Sequence, residues 1–241
     1  MKRRIIAKLE LKSEHIVKPI FFEGLKKIGN PKQIAEKYYK LGIEEIILKD
    51  IVASLYQRAL NYKLIETIIK NLPVPIALGG GVKSIDDVHR LINCGADKIC
   101  INTGIFKNKK LIDQTAKIYG SQSIVVEIQS KKIGDKWFCL TDNGRINTNV
   151  EVGKWISETQ DRGAGELFLQ SVDKDGTMEG FDIKLFKSIQ KKIKIPVIFS
   201  GGCGSLSHIK EILKYKVSGI CLSSVLHYKK IKVKDVKKIL K

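Results

Sequence analysis

Ile76 to Thr103 reads IALGGGVKSIDDVHRLINCGADKICINT, and this stretch decides the fold. An apolar run enters the triple glycine Gly79-Gly80-Gly81, a helical pattern follows with Ser84 placed as its cap, and a second apolar run ends in Asn102-Thr103. A strand that stops in glycine turns its backbone N–H groups toward the next helix start, an arrangement that holds phosphate. The layout returns 121 residues later, where Val197 to Ser224 reads VIFSGGCGSLSHIKEILKYKVSGICLSS. Gly201-Gly202 fall under Gly80-Gly81, Ser205 under Ser84, and Ser223-Ser224 under Asn102-Thr103. The chain is therefore an internal repeat of strand–helix units.

Working outward, eight apolar or β-branched runs are predicted as strands: Ile5–Leu11, Glu45–Asp50, Pro75–Gly79, Lys98–Asn102, Ile124–Gln129, Glu166–Ser171, Pro196–Ser200 and Gly219–Ser223. Amphipathic stretches lie between them at Pro31–Leu41, Tyr62–Asn71, Ile85–Asn93, Lys109–Tyr119, Val152–Arg162, Ile183–Lys192, Leu206–Tyr215 and Val233–Leu240. Eightfold alternation implies a parallel sheet, and a twofold repeat of four units predicts a closed (β/α)8 TIM barrel. An open doubly wound sheet is the competing arrangement. The repeat extends to Gly42–Ile46 over Gly163–Leu167 and to Ile5–Glu10 over Ile124–Gln129. One domain over residues 1–241 is expected, with half-barrels of about 1–120 and 121–241. The irregular Ser130–Asn149 stretch is expected to form a hairpin over the mouth.

Composition narrows the function. Hydrophobic residues make up 43% of the 241, but no run approaches the ~18 apolar residues of a membrane helix. The opening MKRRIIAKLELK is too short and too charged for a signal peptide, so a soluble cytoplasmic protein without membrane contact is expected. Five cysteines without a C-x-x-C pair read as reduced, buried thiols, and no metal or cofactor motif is present. The formal charge of +19 is spread over every predicted helix rather than gathered on one face, which argues against nucleic acid and for steering of a phosphorylated substrate.

In a barrel of this kind the site lies where the strands end. Those positions are Glu10, Asp50, Gly80-Gly81, Asn102-Thr103, Gln129, Ser171 through Asp175-Gly176-Thr177, Gly201-Gly202 and Ser223-Ser224. Two phosphate cradles related by the repeat would take a substrate with a phosphate at each end; the bland alternative is that these glycines only permit tight turns. The twofold pairs Glu10 with Gln129. Glu10 projecting into the mouth would serve as a general acid or base, whereas a structural ion pair with Lys18 or Lys12 is the alternative. Gln129 can only hydrogen-bond. At the opposite end Arg4, Glu45, Lys98 and Glu166 each open a strand and could close a ring of salt bridges. His89 and His208 are expected to face solvent from outer helices, while His227, after the last strand, is placed to reach a substrate.

The segments RRIIAKLELK, GADKICINT, GSQSIVV, GAGELFLQSVDKDGTMEGFD, IPVIFSGGCGS and SSVLH resemble the HisF family, the cyclase subunit of imidazole glycerol phosphate synthase, over essentially the whole chain. That resemblance implies a lyase of histidine biosynthesis with a phosphate site in each half. It also implies a heterodimer with a HisH-like glutaminase on the barrel floor, whose ammonia passes through the barrel to the mouth. Arg4, Glu45, Lys98 and Glu166 look like the family's ammonia gate, and Asp97 and Gln122 match residues at the docking face and passage. Three positions depart from the family: its two catalytic aspartates fall at Glu10 and Gln129, and the cysteine before the first falls at Lys8. A paralogue that conducts ammonia to another substrate is the expectation these departures raise. The SLYQRALNYKLIETI segment, with Asn61-Tyr62, looks similar to HisF-like proteins of amidino-sugar biosynthesis. Such proteins build surface polysaccharide or flagellin glycans from nucleotide-sugar precursors with a third, ATP-using amidotransferase-like partner. Two alternatives stand beside that reading, an ordinary histidine-pathway cyclase and a non-catalytic activator of the glutaminase.

Overall fold

The structure is a computed structural model that describes residues 3–58, 60–70 and 72–240. Strand β1 (Arg4–Lys12) runs into a hairpin of β2 (His15–Ile20) and β3 (Glu23–Gly29). Then come α1 (Pro31–Lys40), β4 (Glu45–Asp50), α2 (Tyr62–Ile69), β5 (Ile76–Gly79), α3 (Ile85–Asn93) and β6 (Lys98–Ile101). Helices α4 (Thr103–Lys107) and α5 (Lys110–Tyr119) lead to β7 (Ile124–Ile133), which continues into β8 (Lys136–Thr141) and β9 (Ile146–Glu151). The chain closes with α6 (Val152–Asp161), β10 (Glu166–Ser171), α7 (Ile183–Ile189), β11 (Val197–Ser200), α8 (Leu206–Ile212), β12 (Gly219–Leu222), α9 (Ser224–His227) and α10 (Val233–Leu240).

Strands pair in the order β10-β11-β12-β1-β4-β5-β6-β7, and β7 pairs back to β10, so eight parallel strands close into a barrel. The open-sheet alternative is thereby overturned. Strand residues are buried on both faces, as parallel strands under helices must be. Along β1, Ile5, Ala7, Leu9 and Leu11 join the apolar layer beneath the helices. Ile6 instead belongs to an inner cluster that takes one residue from each barrel strand: Ile6, Ile47, Ala77, Cys100, Val125, Phe168, Ile198 and Cys221. Period-two alternation thus builds two cores, one outside the sheet and one inside it.

Helix starts follow local chemistry. Asn30 accepts from Gln33 N ahead of Pro31, Asn61 from Leu64 N, and Ser205 from His208 N. Ser84 and Asp87 form a reciprocal capping box, which satisfies two N–H groups that a helix end leaves unpaired. Asn71, expected at the end of the second helix, lies outside the described residues.

The Ser130–Asn149 stretch forms antiparallel strands as expected, with β7 itself running on to Ile133 before β8 and β9 pair beside it. The β2–β3 hairpin was not legible. Its turn carries Phe21 and Phe22 at φ of 50° and 66°, a conformation that aromatic residues rarely adopt and that no Asn-Gly or Asp-Gly announces. Burial of Phe22 against Leu140 and Val172 holds the turn in place.

Candidate functional site

At the floor, where the strands begin, Arg4 pairs with both Glu45 and Glu166, and Lys98 Nζ donates to Glu45 Oε1 at 2.9 Å and to Glu166 Oε2 at 2.8 Å. The four side chains form a closed cycle of alternating charge. Glu45 and Glu166 occupy equivalent places in the two halves, while the cations come from β1 and β6. Burial alone would lower the Arg4 pKa, yet the two carboxylates outweigh it and raise it above the ordinary value. Asp97 and Gln122 also lie at this end, both exposed, with Asp97 Oδ2 accepting from Ile76 N at 2.8 Å and Gln122 Nε2 donating to Tyr119 O at 3.0 Å.

Directly above the ring sits the inner apolar cluster. Its two thiols are inert: burial pushes the Cys100 thiol well above its usual range and the Cys221 thiol to about 12.

The mouth departs from expectation at Glu10. Its carboxylate is 1% exposed, paired with Lys8 Nζ at 2.8 Å and Lys18 Nζ at 3.1 Å. Asp175 completes the cluster, 2.9 Å from Lys18 and 3.5 Å from Lys8. Two cations and two carboxylates thus share one dry compartment. Burial pushes both carboxyls up, but Lys18 and Lys8 together outweigh it, holding Glu10 below its ordinary value and Asp175 at about 2. Glu10 is therefore not a free acid or base in the mouth. It is the structural ion pair with Lys18 that the sequence left as the alternative, and Lys12 takes no part.

A second buried pair stands across the barrel. Lys49 Nζ donates to Glu127 Oε1, and Gln129 Nε2 donates to that same oxygen at 3.1 Å. Neither Lys49 nor Glu127 was singled out from the sequence, although the alternation of β4 and β7 places both inside. Charged residues in inward register within apolar strands were the available signal.

The repeated glycines sit where expected. Gly80 and Gly201 adopt φ of 102° and 98°. A Cβ at Gly80 would lie 2.2 Å from Asp50 O, and one at Gly201 would lie 2.7 Å from Ser171 O. Asp50 and Ser171 are themselves twins in the repeat, so each glycine presses on the equivalent strand end. Asn102 and Ser223 share another unusual conformation, at φ/ψ of −128°/−88° and −137°/−81°.

The two halves differ in how the cradles are covered. Gly80, Gly81, Asn102, Thr103 and Gly104 line a cavity that reaches down to Cys100 in the apolar layer and includes Lys49, Glu127 and Gln129 in its wall. Asp50 shapes that wall by accepting from Val52 N, Ala53 N and Arg58 Nη2. In the second half Gly202 O accepts from Gly180 N at 2.7 Å, and Asp175 O accepts from Phe21 N at 3.0 Å. There Gly176 lies against Pro19 and Ile20 of the hairpin, and Asp175 turns its side chain to the two lysines. The hydroxyls face backbone as well: Thr103 Oγ1 accepts from Asp142 N at 3.0 Å, and Ser223 Oγ donates to Lys8 O at 3.4 Å. Ser224 is buried beside it.

The histidines also need correction. His89 and His208 are half-buried rather than solvent-facing; His89 bonds Tyr119 OH, and His208 Nδ1 accepts from Gly204 N at 3.1 Å. His227 bonds Tyr38 OH through Nδ1 at 2.7 Å, and burial lowers its pKa to about 4.

A family profile described as histidine biosynthesis protein matches residues 4–232. Among curated relatives, the imidazole glycerol phosphate synthase subunit HisF of Legionella pneumophila is 43% identical over 204 residues, covering 84% of this chain and 96% of its own length. That of Thermococcus onnurineus is 38% identical over 240 residues, covering 100% of this chain and 95% of its own length. That of Hydrogenobaculum sp. is 40% identical over 243 residues, covering 100% and 96%. With this family match across nearly the whole barrel and relatives of such identity along its length, the chain belongs to the HisF family of histidine biosynthesis proteins.

Proposed function

We propose that this chain is the cyclase-type subunit of an imidazole glycerol phosphate synthase, taking ammonia from a HisH-like glutaminase at the barrel floor and using it on a phosphorylated substrate at the mouth. The observation that carries the reading is the stacking of three layers along the barrel axis: a closed four-residue charge ring, an eight-residue apolar cluster, and a cavity that joins this cluster to the Gly80-Gly81 cradle. Neutral ammonia crosses an apolar layer at little cost, whereas ammonium would need its charge paired. Ring side chains gating such a passage, exposed Asp97 and Gln122 at the docking face, and phosphate held at both cradles are parts of the same proposal. The three relatives described above are each named for imidazole glycerol phosphate synthase, which favours the histidine-pathway cyclase over amidino-sugar formation.

The experiment is turnover of the doubly phosphorylated ribulosyl carboxamide intermediate by the purified chain with ammonium salt. Ring closure at an ordinary enzymatic rate is the expected result, and no turnover even with the glutaminase present would remove the reading. A second reading rests on one observation, the commitment of Glu10 to two lysines beside a Gln129 that cannot exchange a proton. It keeps the ammonia passage but supplies a different acceptor, amidino-sugar precursors included. Loss of proton transfer typically costs about 10²–10⁴-fold, so turnover slowed by that amount and left uncorrected by Gln129→Asp with Glu10→Asp would favour it.

A further inference from the structure

Lysines occur on helices all around the barrel, but the net charge does not follow them, because the carboxylates are unevenly placed. Residues 183–241 hold fifteen lysines, no arginine and two carboxylates, Glu211 and Asp235, and so carry thirteen of the formal +19. Residues 1–182 carry the remaining +6.

The charged part of the chain builds one sector of the outer wall. Strands β10, β11 and β12 are neighbours in the barrel, so α7, α8 and α10, which follow them in the chain, lie side by side over the sheet. Each helix turns its apolar side inward: Leu185, Phe186 and Ile189, then Ile209 and Ile212, then Val233 and Val236. The outer sides present Lys184, Lys187, Lys210, Lys234 and Lys238, with Lys230 ahead of α10, all of them exposed. Of these six, only Lys238 has an ion-pair partner among the described residues, Asp235 at 3.7 Å.

What accompanies these lysines selects the partner. Of the large hydrophobic side chains exposed among the described residues, none lies between 183 and 240. A protein interface needs apolar or aromatic anchors at its centre, where lysine is depleted. Nucleic acid is gripped by arginine forks and by aromatic stacking, and this wall has no arginine and no aromatic ring among its exposed residues. An anionic bilayer requires neither. Its surface potential draws each nearby ammonium by a comparable amount, so separate lysines on adjacent helices suffice.

We propose that the α7–α8–α10 wall binds the surface of an anionic lipid bilayer through lysine charge alone. With no exposed apolar side chain to insert, the contact is peripheral and reversible. The barrel then lies on its side, which leaves both the floor and the mouth open.

Co-sedimentation of the full chain with vesicles tests this, using phosphatidylcholine alone and phosphatidylcholine mixed two to one with phosphatidylglycerol. Binding to the mixed vesicles is expected at about 0.1 M salt, with none to the neutral ones and loss at about 1 M, where charge is screened within ~3 Å. Substituting one lysine per helix, Lys187→Glu, Lys210→Glu and Lys234→Glu together, should weaken partitioning at least about a hundredfold, since each lysine contributes about fivefold. Lys63→Glu, Lys110→Glu and Lys117→Glu make the same change in net charge on α2 and α5, and should stay within about threefold of the native chain. If thermal melting shows the first triple variant unfolded, glutamine at the same three positions replaces it, with about a hundredfold loss expected. Equal weakening by both triple variants, failure to bind the mixed vesicles, or binding that survives about 1 M salt would overturn the proposal. Displacement from the vesicles by single-stranded RNA at equal phosphate concentration would overturn it in favour of nucleic acid.

Discussion

At the scale of single residues, the Lys8–Lys18–Glu10–Asp175 cluster is the largest deviation from what the chain suggests. Removing one member of a buried charge group leaves its partners uncompensated, a cost of about 3–5 kcal/mol. Lys18→Met should therefore lower unfolding free energy in urea by about that amount, and Glu10→Gln by less, because Lys8 and Lys18 would keep Asp175. The cluster also sets an acid limit. Asp175 sits at about 2 when folded, below its ordinary value, so its contribution is complete above pH ~4 and is lost as pH falls toward 2. A urea midpoint that declines through that window in the native chain, but more weakly in Asp175→Asn, is the expected outcome. Sequence alone named Lys18 as one possible partner of Glu10. It could not bring Asp175 to the same point, because that contact spans 157 positions and depends on barrel closure.

At the scale of elements, the repeated glycine turns were fully legible and the first hairpin was not. Gly80 must keep a positive φ beside Asp50, so a side chain there meets both backbone strain and a steric clash. Gly80→Ala is expected to destabilise the chain by at least about 1–3 kcal/mol in chemical denaturation and to abolish propyl phosphate binding. Local rules decide such a turn: residue type, strand end and helix cap all lie within a few positions. The β2–β3 hairpin follows a different logic. Phe22 holds an unfavourable conformation because burial against Leu140 and Val172 offsets it, and those contacts come from β8 and the loop after β10. The consequence is an asymmetry between the halves: Pro19, Ile20 and Phe21 lie on the Asp175–Gly176 turn of the second half, while the Gly80-Gly81 turn of the first half opens into a cavity.

At the scale of the whole molecule, the barrel joins a floor ring to a mouth cavity through one apolar layer, and its test belongs to the complex. Lys98→Ala breaks the cycle and leaves Arg4 alone between Glu45 and Glu166. With a HisH-like glutaminase, this variant is expected to form several-fold less product per glutamine hydrolysed, while turnover driven by saturating ammonium salt falls much less. An equal fall in both would show that the ring only supports the fold. The alternation of apolar and polar residues, the eight barrel strands with the main helices between them, the duplicated glycine turns and the four charges opening the strands were all set by the sequence, because each is a local or periodic property of the chain. Only the tertiary structure decided which charges meet. Closing the sheet brings Lys8, Lys18, Glu10 and Asp175 into one dry compartment, turns Glu127 and Lys49 into the clamp behind Gln129, and lays the hairpin over one cradle of two. Those outcomes depend on distances between segments far apart in sequence, and a pattern of residue types carries no such distances.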